Sequence, residues 1–357
     1  MAVVPFPSSP KLRPSPFPPP VFAPPVIAPP AETGTPPPAR PAPQAACPLT
    51  PTIFHERWWL DAVTQGRYQA AELHHHGRLV GWLPYTLSRR RGFQVSEMPA
   101  LTHLLGPAVD EGKGSGNTRW LRRMDTLKEL IARLPRLGLF SQTCHPDTAD
   151  VMGFQASGFD AFVQFSAEIE PAAHELLWHN MRDKTRNVIR RAMERGRLEA
   201  LGDPQAFEAF YRANLGQAGR SSYFDIDCIT RVYETARLRD RARIFAVRNA
   251  ASALVAAVLF VWDERRMWYL LSSRDPRLPD NGAVSWLMWH GIQEATRRGL
   301  RFDFDGVASA GASRFFAGFG AQIRPRYAVH RSSPVYTLVD AAVTCLRGPK
   351  RSTFVAP

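Results

Sequence analysis

An internal repeat constrains this chain more than any other feature. Leu137 and Leu300 open matching apolar stretches, and Gly158-Phe159 and Gly318-Phe319 recur at nearly the same offset, roughly 160 residues. In the first half, residues 68–73 and 79–86 alternate apolar and polar positions around the polar turn His74-His75-His76-Gly77, as a hairpin does. A glycine-rich loop (112–116) leads into a helical stretch (120–134), a strand (137–143) and a closing strand (162–169). The second half runs in the same order. Its hairpin (243–247 and 254–262) is followed by a third strand (267–272), a loop, a helix (284–298), a strand (300–305) and a closing strand near 326–330. Such a chain is expected to be α/β (α+β): two tandem units, each a mixed twisted sheet flanked by helices.

Residues 1–51 hold 19 of the 32 prolines and a single acidic residue, Glu32. Proline fixes φ and removes amide donors, so this stretch is expected to be a disordered tail outside the fold. The first unit then covers 52–170, a helical insert 171–242, the second unit 243–340 and a C-terminal tail 341–357. In the insert, Trp178, Met181, Thr185, Val188 and Ala192 fall on one face of an expected helix. Asn180, Lys184, Asn187 and Arg191 form a polar stripe beside it. Asp203-Pro204 reads as the cap and first turn of a later helix.

Charge and cysteine usage exclude several classes. Lys+Arg 45 against Asp+Glu 32 gives +13, which favours polyanionic partners without choosing among them. Only five of the basic residues are lysines, so Lys184 stands out in an arginine-dominated chain. Four scattered cysteines without a C-x-x-C pair argue against a disulfide framework or a zinc ribbon. The longest apolar run, 253–262, is too short to span a bilayer, and no signal-peptide pattern opens the chain. These features point to a soluble, cytoplasmic protein. The histidine turn lacks carboxylate or cysteine partners, and no metal site is expected.

Two places could carry chemistry. Arg277-Leu-Pro-Asp-Asn281-Gly282-Ala283 leads into the helix that starts at Val284, with Arg274 just upstream. A helix start offers unpaired N–H groups and a partial positive charge that suit a pyrophosphate, although Asn-Gly is also an ordinary turn. On the next strand, Asp303 and Asp305 alternate with Phe302 and Phe304, which places both carboxylates on one face. Such a pair can accept the proton of an attacking amine, or can serve as a turn cap and an arginine partner. Lys184, Asn187 and Arg191 are either a grip for an anionic group or a solvated basic face.

Three stretches, taken in order, resemble the GNAT acyltransferase superfamily: Lys184-Thr-Arg-Asn187-Val-Ile-Arg-Arg191-Ala, Asp303-Phe-Asp305-Gly306, and Arg314-Phe-Phe-Ala-Gly-Phe-Gly320. Trp58-Trp59-Leu60 and Val80-Gly81-Trp82-Leu83-Pro84 add to the likeness over residues 52–340, which resembles the two-unit branch with FemAB-type and BioF2-like (CelD-like) members. The resemblance implies a catalytic second unit beside a degenerate first one. It implies acetyl-CoA or another acyl-CoA as co-substrate, held near Arg274, Arg277, Asn281, Gly282, Ala283 and Val284. It also implies direct transfer to an amine of a sugar, lipid or cell-envelope precursor, with Asp305 and Asp303 catalytic. Lys184, Asn187, Arg191, Tyr269 and Arg314 are then the substrate-binding candidates. Where the family's phosphate loop has its first glycine this chain has Asp280, and where many members place a tyrosine acid it has Arg314. These two departures support one alternative, a non-catalytic binding protein of the same fold, and the basic excess supports another, an aminoacyl-tRNA-dependent transferase with tRNA as donor.

Overall fold

The computed structural model describes residues 49–219, 221–222, 224–278 and 282–347. The expected proline-rich tail lies almost wholly outside the described residues. The first half comprises α1 (Arg57–Thr64), β1 (Tyr68–His75), β2 (Arg78–Thr86), β3 (Ser88–Arg90), β4 (Phe93–Ser96), β5 (Ala108–Val109), α2 (Gly116–Ala132), β6 (Leu139–Thr143), α3 (Met152–Ala156) and β7 (Asp160–Ile169). The intervening segment holds α4 (His174–Asn180), α5 (Asp183–Arg195), β8 (Gly196–Ala200), α6 (Pro204–Gln217) and α7 (Cys228–Arg237). The second half follows as β9 (Ala242–Asn249), β10 (Leu254–Trp262), β11 (Arg266–Arg274), α8 (Ala283–Arg297), β12 (Arg301–Gly306), α9 (Ala310–Ala317), β13 (Gln322–Ser332) and α10 (Pro334–Arg347).

Local chemistry accounts for several of these boundaries. The β1–β2 turn uses His76 and Gly77, both left-handed (φ 49° and 76°), the backbone twist that a two-residue hairpin needs. Ser115 caps α2 by accepting from Thr118 N, and Asp203 caps α6 by accepting from Gln205 N, with Pro204 in the first turn. The single helix expected from Trp178 is broken. Met181 takes an extended conformation (ψ 150°), so α4 ends and α5 begins two residues later. The segment expected to be purely helical also contributes a strand, β8, which pairs antiparallel with β9. The chain does not trail off at 341 either, because α10 runs through that point and packs Tyr336 against Val95 and Leu139.

The main elements of the halves follow in the same order, β1, β2, α2, β6, α3 and β7 against β9, β10, α8, β12, α9 and β13, with a shift from the expected match. Gly158, two residues before β7, stands against Gly320, two residues before β13, and both are left-handed (φ 77° and 78°). Gly318 instead caps α9. That helix is longer than its counterpart, 8 residues against 5, which displaces the Gly-Phe match seen in sequence.

The two units do not keep separate main sheets. Ten strands run in the order β3-β4-β6-β13-β7-β12-β11-β10-β9-β8, and β1-β2-β5 form a small sheet alongside. Each half's closing strand crosses to the other half. β13 pairs with β6, and β7 pairs with β12, while β7 and β13 run antiparallel to each other over nine residue pairs. The second half's sheet is covered on both faces. On one side α8 and α9 bury Leu287, Trp289 and Phe316 against Phe260, Phe302 and Phe304. On the other, α1, α6 and α7 bury Trp59, Phe207 and Tyr233 against Leu259 and Trp268.

Candidate functional site

The sheet opens at one point. β11 and β12 are parallel and pair only over Arg266–Trp268 with Arg301–Asp303. From Tyr269 onward β11 stays with β10, as far as Arg274, and no described strand pairs with its other edge. β12 leaves by a different route. Its pairing with β7 shifts between Asp303 and Gly306, and Asp305 in that bulge has φ 70°. A left-handed non-glycine residue costs roughly 1–2 kcal/mol, and such conformations cluster at functional sites.

The expected alternation along β12 holds. The rings of Phe302 and Phe304 lie 4.9 Å apart in the core beneath α8. Asp303 and Asp305 belong to the other face, so the acids are opposite the helix whose start was expected to hold the donor.

Asp305 is held at three points. Arg326 Nη1 on β13 donates to Oδ1 at 2.7 Å. His103, on the loop between β4 and β5, places Nδ1 3.2 Å from Oδ2, without hydrogen-bond alignment. The Asp305 backbone N–H donates to Asp303 Oδ1 at 2.7 Å. Gly306 leaves the room that the Arg326 guanidinium occupies, since a Cβ there would meet Nη2. Burial raises the Asp305 carboxyl, but the His103 ring and the Arg326 guanidinium together outweigh it and hold it below the usual range. Asp303 behaves oppositely. It is 1% exposed, and burial, helped by the Glu168 and Asp305 carboxylates, pushes it up to about 7. Burial likewise lowers His103, against the pull of Asp305. Two neighbouring carboxyls pushed apart in this way form the pattern of an acid–base pair.

The start of α8 is tightly covered. Gly282 is left-handed (φ 78°), and a Cβ on it would lie 2.5 Å from Val188 Cγ1 and 2.8 Å from Val188 O. The close approach that Gly282 permits is therefore to α5. Gly282→Ala should cost about 1–3 kcal/mol, from left-handed strain plus the clash, read as a lower urea midpoint. Ala283 is buried and Val284 half-buried in the core below, while Asn281 lies outside the described residues, as does Asp280. Arg277 is held by Asp275, Nη2 to Oδ2 at 2.6 Å, and Arg274 Nη1 donates to Leu278 O at 2.9 Å. Both arginines thus brace their own loop.

Lys184 and Arg191 lie one turn to either side of Val188 and are exposed, so they flank the residue that touches Gly282. Asn187 is also exposed and accepts from Arg190 Nη1 at 3.0 Å. Arg314 is exposed on α9. Tyr269 is 3% exposed in the core, its hydroxyl bonded to Ser272 and within electrostatic reach of Asp305. Sequence reasoning missed His103 and Arg326. No motif surrounds either, and the proximity of both depends on chain segments far from Asp305.

Comparison with known proteins now bears on this geometry. Residues 179–316, which contain α5, the parted strands and all but the last residue of α9, match the model of the acetyltransferase (GNAT) domain family. This stretch is a GNAT domain. The chain as a whole has a FemX-like two-unit fold, and the match to the acetyltransferase domain is confined to this stretch. The FemX crystal structure superposes with a TM-score of 0.62 at 13% identity, covering 83% of this chain and 96% of FemX. The C-terminal domain of an Agrobacterium fabrum protein assigned as a lysylphosphatidylglycerol synthetase superposes at 0.52 and 14% identity, covering 82% and 94%. These likenesses concern the fold. No curated protein sequence matches the chain. Among the described residues, no helix is long and apolar enough to cross a membrane, and no group of three or more His, Cys, Asp or Glu side chains could hold a metal ion.

Proposed function

We propose that the GNAT domain transfers an acyl group from acyl-CoA, acetyl-CoA being the simplest donor, to a primary amine on a sugar, lipid or cell-envelope precursor in the cytoplasm. The observation that carries this reading is the parting of β11 and β12 with Asp305 at its mouth. An extended amide-bearing arm can lie along the edge of β11 that no described strand covers, between Tyr269 and Arg274, using the hydrogen bonds a further strand would make. Lys184 and Arg191 offer charge to the phosphates near the start of α8. The bound thioester supplies an activated carbonyl.

The chain's own residues would do the rest. The split runs through the sheet, so a donor on the α8 face and an amine on the opposite face can meet at its end. Asp305, ionised and fixed by Arg326, orients the amine and accepts its hydrogen. Asp303, directly behind it and titrating near neutrality, is the second proton acceptor, and the C–S bond breaks as the C–N bond forms, so CoA leaves as its thiolate and takes a proton from solvent. Backbone N–H groups of β11 polarise the carbonyl.

The excess of positive charge favours the rival donor, aminoacyl-tRNA, because phosphate contacts dominate such binding. Thermal stability measured with acetyl-CoA and, separately, with charged tRNA separates the two. A rise in Tm with the thioester supports the proposal. A salt-sensitive rise with tRNA alone replaces it with the aminoacyl reading, and a response to neither supports a binding protein. The Lys184→Ala/Arg191→Ala variant should raise the half-saturating concentration of acyl-CoA about tenfold at low salt, with kcat little changed. An unchanged value would return both side chains to the solvated surface.

A further inference from the structure

The first half completes the sheet, and one of its side chains, His103, also reaches Asp305. His103 sits on the loop that crosses from β4 to β5, more than two hundred positions before Asp305 in the chain. The loop is firmly placed. Leu101 and Leu104 are buried in the core with Trp59 and Trp268, and Thr102 accepts from Trp59 Nε1 at 3.1 Å. The imidazole rests against Phe54, with ring centroids 5.5 Å apart. Its side chain is 12% exposed, and its Nδ1 has no hydrogen bond although Asp305 Oδ2 is 3.2 Å away. A buried ring nitrogen at that distance from a carboxylate oxygen, yet out of line with it, is a contact that a small shift of Asp305 would complete.

We propose that His103 is a positioning residue of the acyl-transfer site, lent by the first half to hold Asp305 Oδ2 while Arg326 holds Oδ1. With both oxygens restrained, the left-handed bulge at Asp305 keeps one orientation, and the carboxylate meets the acceptor amine without first reorganising. The charged and titratable groups around Asp305 are Asp303 on its own strand, with Glu168 of β7 beside it, Arg326 on β13, Tyr269 on β11 and His103 itself. Of these, His103 comes from a loop outside the sheet. The inference rests on the reading of Asp305 as the acceptor-side carboxylate.

Three measurements test it. His103→Leu should lower kcat about 10–100-fold with little change in the half-saturating acyl-CoA concentration, and should move the acid limb of the kcat profile to higher pH. His103→Asn, whose amide can reach a similar point, should recover most of the loss. Adding His103→Leu to Asp305→Asn should cost nothing further, because the histidine acts through the aspartate. Wild-type kcat and an unmoved acid limb in His103→Leu would overturn the proposal, as would full additivity in the double variant.

If His103→Leu does not fold, labelled imidazole resonances in the wild type and in Asp305→Asn give the answer without touching the histidine. The His103 titration midpoint should fall when the carboxylate is removed. An unchanged midpoint would overturn the coupling. Should Asp305→Asn itself turn over normally, the reading of Asp305 fails. A slow Asp305→Asn beside a fully active His103→Leu defeats only the present inference.

Discussion

Asp305→Asn lowers kcat by about 10²–10⁴-fold while leaving donor affinity nearly intact, the range over which positioned proton acceptors act. Asparagine keeps the shape of the side chain and is among the few residues that tolerate a left-handed backbone, so the bulge should persist. What disappears is the negative charge facing the amine and the ion pair with Arg326. A thiol-trapping assay of CoA release, with donor and acceptor varied separately, reads the effect. Normal turnover would remove Asp305 from the chemistry and leave the bulge as a purely structural device.

The second large effect concerns stability. Folded Asp303 keeps its proton up to about pH 7 because it is buried beside other carboxylates, whereas an aspartate in the unfolded chain loses it near pH 3.9. Between those values the folded state binds more protons, so stability falls as pH rises through that window and levels off above it. The whole loss amounts to at most about 4 kcal/mol. Asp303→Asn removes it while preserving the oxygen that accepts from Asp305 N–H. The variant should be about 2–4 kcal/mol more stable than the wild type at pH 8 and nearly equal to it at pH 4. Urea unfolding at the two pH values checks this, and equal stability at pH 8 would show that Asp303 is ionised at no cost. Together with the first prediction, it would describe a site that gives up stability for a proton acceptor tuned near neutrality.

Much of this architecture is visible in the amino-acid order. Hairpins, the α8 crossover and the alternation of Phe302 and Phe304 with Asp303 and Asp305 follow from period-two patterning and turn residues, which are local properties. The break at Met181 escaped because an apolar residue at helical spacing reads as helix whether or not the backbone turns there. The edge strand β8 escaped because five residues directly after a helix carry little pattern of their own. The site was half legible. Its two acids stand in one short strand, whereas Arg326 and His103 reach them through strand exchange and a buried loop, and sequence spacing holds no record of either. The role of Gly282 illustrates the same limit: a glycine signals that something comes close, and here Val188 does.

The crossing of β7 and β13 has a further consequence for how this chain can be handled. A fragment ending at Ile169 would leave β6 without its β13 neighbour, and one beginning at Ala242 would leave β12 without β7. Either piece would expose raw strand edges of the kind that draw chains into aggregates. Any redesign therefore has to treat the pair as a single heritable part, open to grafts in its surface loops but closed to division.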